Sequence, residues 1–217
     1  MKRQPLILPV ILGAFVLLAG CATAPETGWQ ERHAAGEAAR EAVRFAEIPL
    51  PDAWTAVPVE TAPVPINHAE LEAGTGALIY RGGVQITSSF NRLHGLSDLA
   101  FEDAGRFWSV SDEGLLVRGR IVLDAEGRLV GVEGVEARPL NDPDGLPLLP
   151  KVLADAEGVA LMPGGEVLVS FERVHRVWRY DRDSGRSLGE RAIPDFAFTE
   201  NEGMESVAWA GGSDYWA

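Results

Sequence analysis

Three stretches decide how the chain reads: Gly95-Leu-Ser-Asp-Leu-Ala100, Asp155-Ala-Glu-Gly-Val-Ala160 and Gly203-Met-Glu-Ser-Val-Ala208. Each sets a small or polar pair before an apolar residue and an alanine. Beyond the alanine the match continues without gaps. Eight residues on stand Trp108, Leu168 and Trp216, and twelve on, in the first two units, stand Asp112 and Glu172. The units are offset by 60 and 48 residues. A four-stranded propeller blade takes roughly 40–50 residues plus insertions, and the Pro-rich stretch Ala137–Lys151 accounts for the longer interval.

The surrounding sequence agrees. From Ala77 onward short β-type runs (Ala77–Thr87, Phe107–Ser111, Leu116–Leu123, Val167–Phe171, Val174–Tyr180) alternate with glycine turns at Glu126-Gly127, Gly164-Gly165, Ser184-Gly185 and Gly211-Gly212. Many short strands with regular turns predict an all-β sandwich, barrel or propeller. No strand–long helix–strand alternation appears, which argues against a doubly wound fold. The repeat favours a β-propeller of about three blades over residues 66–217, each a four-stranded sheet. A propeller is stable when it closes on itself, and about three blades cannot close. The third unit reaches Trp216 within its expected second strand, so the propeller is expected to be incomplete and a complete relative to carry more blades.

Residues 1–20 read as a lipoprotein signal peptide. Lys2 and Arg3 lead, an apolar core runs from Leu6 to Leu18, and Leu18-Ala-Gly-Cys21 closes it. A charged start, a short apolar core and small residues at the cut are the marks of a secretory signal. A core of 13 residues is shorter than the about 20 that a spanning helix needs. Cys21 is the expected lipid-carrying first residue of the mature chain; the alternative is an ordinary cleavable signal that happens to hold a cysteine. As the chain's single cysteine, it also rules out an internal disulfide, so stability must come from an ordinary core. Ala22, where inner-membrane lipoproteins carry Asp, points to anchoring at the outer membrane, facing the periplasm. Residues 21–65 read as a flexible Ala/Pro-rich linker. Its possible short helix has an alanine stripe with little to bury, and Pro49, Pro51, Pro58, Pro63 and Pro65 favour extended chain.

Without the signal the chain holds 17 Lys and Arg against 32 Asp and Glu, a formal charge of −15. Nucleic acid is excluded as a partner, because phosphate backbones need a basic footprint. A bare polyphosphate would also be repelled unless metal ions bridge it. The carboxylates are not scattered. Glu157 and Glu205 take the slot held by Ser97 beside Asp98, while Asp112 and Glu172 share a second slot. In a propeller, equivalent positions of successive blades converge on the axis, so these acids are expected at one mouth. Oxygen-only ligands favour a hard cation such as Ca²⁺. The alternative is that they cap turns and bond backbone amides of neighbouring blades.

Leu93-His-Gly-Leu-Ser-Asp-Leu-Ala100, Phe107-Trp-Ser-Val-Ser-Asp-Glu-Gly114, Asp155-Ala-Glu-Gly-Val-Ala160, Val169-Ser-Phe-Glu-Arg173 and Asn201-Glu-Gly-Met-Glu-Ser-Val-Ala208 resemble, in order, the signatures of the phytase-like ("esterase-like activity of phytase") proteins of the bacterial envelope. The resemblance spans about residues 77–210. It implies a β-propeller and a Ca²⁺-assisted phosphoester hydrolase acting on a small phosphorylated substrate. The metal would be held by Asp98, Asp112, Glu157, Glu172 and Glu205, and Arg173 and Glu205 would act at the phosphate. The chain departs from the pattern at His94, Glu113, Met204 and Ser206; Glu113 replaces an arginine that could hold a phosphate. The rival from another class is a non-catalytic envelope propeller that binds a protein or glycan.

Other chemistries fit poorly. No Gly-x-Ser-x-Gly elbow exists, and Ser97, His94 and Asp98 are too close in sequence for a triad along one strand face. Asn141-Asp-Pro-Asp-Gly145 reads as a turn, not a calcium loop. His33, His68 and His175 lack zinc-ligand spacing, and His175 reads as a strand-surface residue. Trp108 and Trp216 are expected in the core. Lys151 is the only lysine after the signal, and no phosphate-cradling loop accompanies it.

Overall fold

A computed structural model describes residues 51–64, 79–149, 151–199 and 202–217. The expected signal peptide, Cys21 and most of the expected linker lie outside the described residues. The strands are β1 (Thr55–Ala56), β2 (Val59–Pro63), β3 (Val84–Ser88), β4 (Leu96–Phe101), β5 (Arg106–Ser111), β6 (Leu115–Leu123) and β7 (Leu129–Pro139). After one helical turn, α1 (Lys151–Ala154), come β8 (Ala156–Met162), β9 (Glu166–Phe171), β10 (Arg176–Asp181), β11 (Ser187–Arg191), β12 (Ala208–Gly211) and β13 (Asp214–Trp216). The fold is all-β, as the short runs imply.

β4 to β7 and β8 to β11 are two antiparallel meanders in chain order, with β1 added outside β7. β12–β13 and β2–β3 are two-stranded, and none of the sheets closes on itself. The sequence repeat is a repeat of register. Ala100 pairs with Trp108, Ala160 with Leu168 and Ala208 with Trp216. A bulge interrupts the pairing ahead of the alanine in the first two units, between Ser97 and Ala100 and between Ala156 and Gly158. The Asp112 amide donates to the Gly95 carbonyl at 3.0 Å, and Glu172 to that of Asp155 at 2.9 Å, so the two acids close equivalent turns.

The apolar runs explain how the sheets stack. In the first meander Phe107, Leu115 and Val117 face one cluster with Val57 and Val135, while Trp108, Val110 and Leu116 face another. That second cluster is shared with Val167, Val169, Phe171, Trp178 and Tyr180 of the second meander. On its far face Leu168 and Val177 pack on Met204 and Val207. Both faces of each meander are therefore buried, which is why the strands read as continuous apolar runs and not as alternation. Arg138 is buried at the end of β7 and donates to the carbonyls of Asp183 and Ser184 in the β10–β11 turn, tying one meander to the other.

The structure departs from the sequence reading in several places. Residues 51–64, assigned by their prolines to the linker, form β1 and β2 and belong to the folded body. Trp54 and Val57 are the reason. The Trp54 ring meets Trp108 edge-on at 5.5 Å under the Arg118 guanidinium at 4.0 Å, and Val57 is buried. Pro51 and Pro58 lie outside the strands, and Pro63 is tolerated at the end of β2, which among the described residues pairs on one side only, with β3. Each unit is expected to hold four strands: the second sheet has four, the first has a fifth, β1, and the third unit shows two among the described residues. Trp108 and Leu168 are core at 3% and 1% exposure, but Trp216 is 74% exposed because no described strand lies over it. The run expected from Val174 starts at Arg176, since Arg173 takes a left-handed φ of 57° and prolongs the turn. Asn141–Gly145 is a turn: the buried Asp142 carboxylate accepts the Asp144 and Leu146 amides, both at 2.9 Å.

Gly158 marks where the second and third units touch. A Cβ there would come within 2.5 Å of Ser170 Oγ and 2.9 Å of the Val207 backbone nitrogen. Overpacking of this kind costs about 1–3 kcal/mol. Gly158→Ala is expected to lower the urea unfolding midpoint accordingly, with β4–β7 retained.

Candidate metal centre

The first strands of the two meanders, β4 and β8, lie side by side. The turns and strand starts at this junction bring several carboxylates to one rim. Asp112 is in the turn after β5, Asp155 lies between α1 and β8, and Glu157 is at the β8 bulge. One carboxylate oxygen from each lies within 4.8 Å of the others. Asp155 is 3% exposed, and the other two are half-buried. Gly95 makes room for them, because a Cβ on it would fall 2.5 Å from the Asp112 carboxyl carbon. Such a set of oxygens can hold a metal ion, and three carboxylates without nitrogen or sulfur suit a hard cation.

The neighbours answer the charge only in part. Lys151 Nζ donates to Asp112 Oδ2 at 2.8 Å and pairs with Asp155 Oδ1 at 2.9 Å. Arg173 Nε donates to Asp155 Oδ2 at 2.5 Å. Desolvation works against the Lys151 charge, but the bonds to the two aspartates outweigh it and raise its value above that of an ordinary lysine. Among the described residues Glu157 has no such cation. Ser97 Oγ donates to its Oε2 at 2.9 Å. Burial, with added repulsion from Asp112, Asp155 and Glu172, overrides that bond and pushes the Glu157 carboxyl up to about 7. Two residues further along the rim extend the acidic row. Glu172 is buried, and burial, then its hydrogen bond with Glu205, then the Glu205 charge push it above the usual carboxylate range.

Of the five residues expected to bind metal, Asp112 and Glu157 thus meet directly. Glu172 and Glu205 form a carboxyl pair beside them. Asp98 does not join. Its Oδ2 accepts the Val159 amide at 3.0 Å and its Oδ1 the Leu99 amide at 2.7 Å, at a left-handed φ of 44°, so it staples β4 to β8. Arg173, expected at a phosphate, engages Asp155. His94 approaches Glu113 at 3.7 Å and not Ser97, whose hydroxyl serves carboxylates, so no nucleophilic triad forms. His175 Nε2 meets the Thr199 carbonyl at 2.7 Å, with its ring on Phe198 at 5.0 Å.

Sequence reasoning missed Asp155 and Lys151 as site residues. Asp155 occupies a slot held by glycine in the other units, so aligning repeats for shared acids passes over it. The available signal was the spacing: Lys151 and Asp155 stand four apart, the distance that pairs charges across one helical turn.

A family model described as phytase-like, esterase-like activity of phytase, matches residues 91–217. This span contains every residue of the carboxylate row. No curated protein and no solved structure matches the chain.

Glu157 gives a pH prediction. Its value rises from 4.5 to about 7 on folding, so the folded state holds the proton more tightly than the unfolded one. The associated stability is full below about pH 4.5 and is lost as pH rises through about 7. In chelator, unfolding in urea across pH 4 to 8 should show wild type losing stability relative to Glu157→Gln. Parallel curves would mean that the carboxyl is not held protonated.

Proposed function

The chain belongs to the phytase-like family, and we propose on that basis that it is a lipid-anchored β-propeller protein of the cell envelope that hydrolyses phosphoesters with calcium. The observation that carries the reading is the oxygen-only cluster of Asp112, Asp155 and Glu157 inside the matched span. The propeller is supported by two consecutive meanders with matched register and neighbouring first strands. The anchor is supported by the sequence from Lys2 to Cys21, and outer-membrane placement by Ala22.

In this reading Asp112, Asp155 and Glu157 would hold the ion, which when bound would supply Lewis-acid chemistry at a phosphoryl group. Ser97 orients Glu157 through its hydroxyl. Arg173 fixes Asp155 from the flank, and its guanidinium is the group that would meet a phosphate there. Glu172, raised by burial and by its bond to Glu205, stands at the end of the row as the group suited to pass a proton to the leaving group, with Glu205 beside it. Asp98, taken up by backbone amides, holds the two first strands in register so that the ligands converge. That same bond favours the second reading, a propeller without catalysis whose acids are structural and whose partner is a protein or glycan.

Calcium titration by calorimetry on the full chain should reveal one site. Asp112→Asn and Glu157→Gln should each weaken it by about tenfold or more, because affinity follows the ligand charge count. Hydrolysis of a phosphomonoester should then stop with chelator and return with calcium. Absence of calcium binding would leave the binding-module reading. For the anchor, palmitate incorporation in a bacterial host is expected for wild type and lost in Cys21→Ser.

A further inference from the structure

Resting on the metal reading above, we propose that Lys151 is a tethered cation that occupies the seat of the divalent ion and is exchanged for it. Its ammonium bridges two of the three carboxylates, at 2.8 Å to Asp112 Oδ2 and 2.9 Å to Asp155 Oδ1. A calcium ion bound by the same aspartates would draw their oxygens to about 2.3–2.6 Å. Ion and ammonium would then compete for the same oxygens as like charges at contact distance, so one must leave.

The local structure is built for a side-chain exchange and not for a rearrangement. Leu153 and Ala154 are buried and hold α1 against the core, and the Asp155 amide donates to the Lys151 carbonyl at 3.0 Å. The backbone of Lys151 is therefore fixed. Its side chain is 43% exposed and can swing into solvent on its four-carbon stem. Arg173 engages the other oxygen of Asp155, Oδ2, so the aspartate keeps a cation while Lys151 departs. With Lys151 seated, the cluster folds without metal. The cost is affinity, so the site answers only to calcium concentrations high enough to displace the ammonium.

Calcium titration of the full chain and of Lys151→Met, Lys151→Arg and Arg106→Gln tests this. Arg106 lies at the far end of β5 and is ion-paired with Glu102. Lys151→Met should bind at least about tenfold tighter, as expected when a competing charge leaves a carboxylate site. Lys151→Arg keeps the charge and should bind closer to wild type than Lys151→Met, and Arg106→Gln should bind like wild type. Lys2 and Lys151 are the only lysines, so ¹⁵N-lysine labelling gives at most two ammonium signals, and Lys151→Arg assigns them. The slowly exchanging Lys151 signal should vanish at calcium saturation. Equal affinity of wild type and Lys151→Met, or a Lys151 signal that persists with calcium bound, would overturn the exchange and leave the metal reading intact. If no variant binds calcium, the metal reading fails and the exchange with it.

Discussion

Phe107, Leu115 and Val117 point to one side of the first meander and Trp108, Val110 and Leu116 to the other, and neither set can be left in water. The second meander has the same problem, with Val167, Val169, Phe171, Trp178 and Tyr180 on one face and Leu168 and Val177 on the other. Burying a side chain of this size contributes roughly 1.5–3 kcal/mol, so stacking the sheets face to face is the dominant favourable term. Everything else follows from the stacking. Meanders of matched register at their first two strands, laid face to face, bring those first strands side by side and their turns to one rim.

The rim is where stacking creates an electrostatic problem. Repeated positions that carry acids, once stacked, must sit within a few ångströms of each other. The chain resolves this differently at each position. Asp98 accepts two backbone amides and turns away from the cluster. Asp155, the most buried, is flanked by Lys151 and Arg173. Among the described residues Glu157 and Glu172 receive no cation, and burial raises both above the usual carboxylate range. Opposite charges are thus concentrated at the Asp155 end of the row, and the two glutamates raised by burial lie at the other.

The repeat was legible because register is a local property. An alanine and an aromatic eight residues apart pair across a two-strand turn wherever the unit sits, and Ala100–Trp108 and Ala208–Trp216 obey this equally. What the repeat could not foretell is what lies over each unit, and so Trp216 reads as core yet stands exposed. The edge at residues 51–64 was hidden for a related reason. Its prolines describe the backbone correctly as extended, but its attachment depends on Trp54 and Val57 finding a distant sheet. Among the acids, position in the repeat told which would share a rim. It did not tell which would turn to backbone amides, because that choice at Asp98 rests on a left-handed backbone and a neighbouring strand 61 residues away.

The origin of the cation is the sharpest asymmetry in the site. Asp112, Glu157 and Glu172 occupy positions that recur from unit to unit, but Lys151 comes at the end of the Pro-rich insertion that lengthens the first interval to 60 residues. The insertion ends in a helical turn whose apolar residues are locked in the core, and this places a single long, flexible cation over two aspartates from different units. A repeated position could not do this, since it would supply a lysine at every unit and neutralise the whole row. Because the cation arrives by insertion, only the junction between the first and second meanders is compensated. The Glu157 side of that same junction stays short of positive charge.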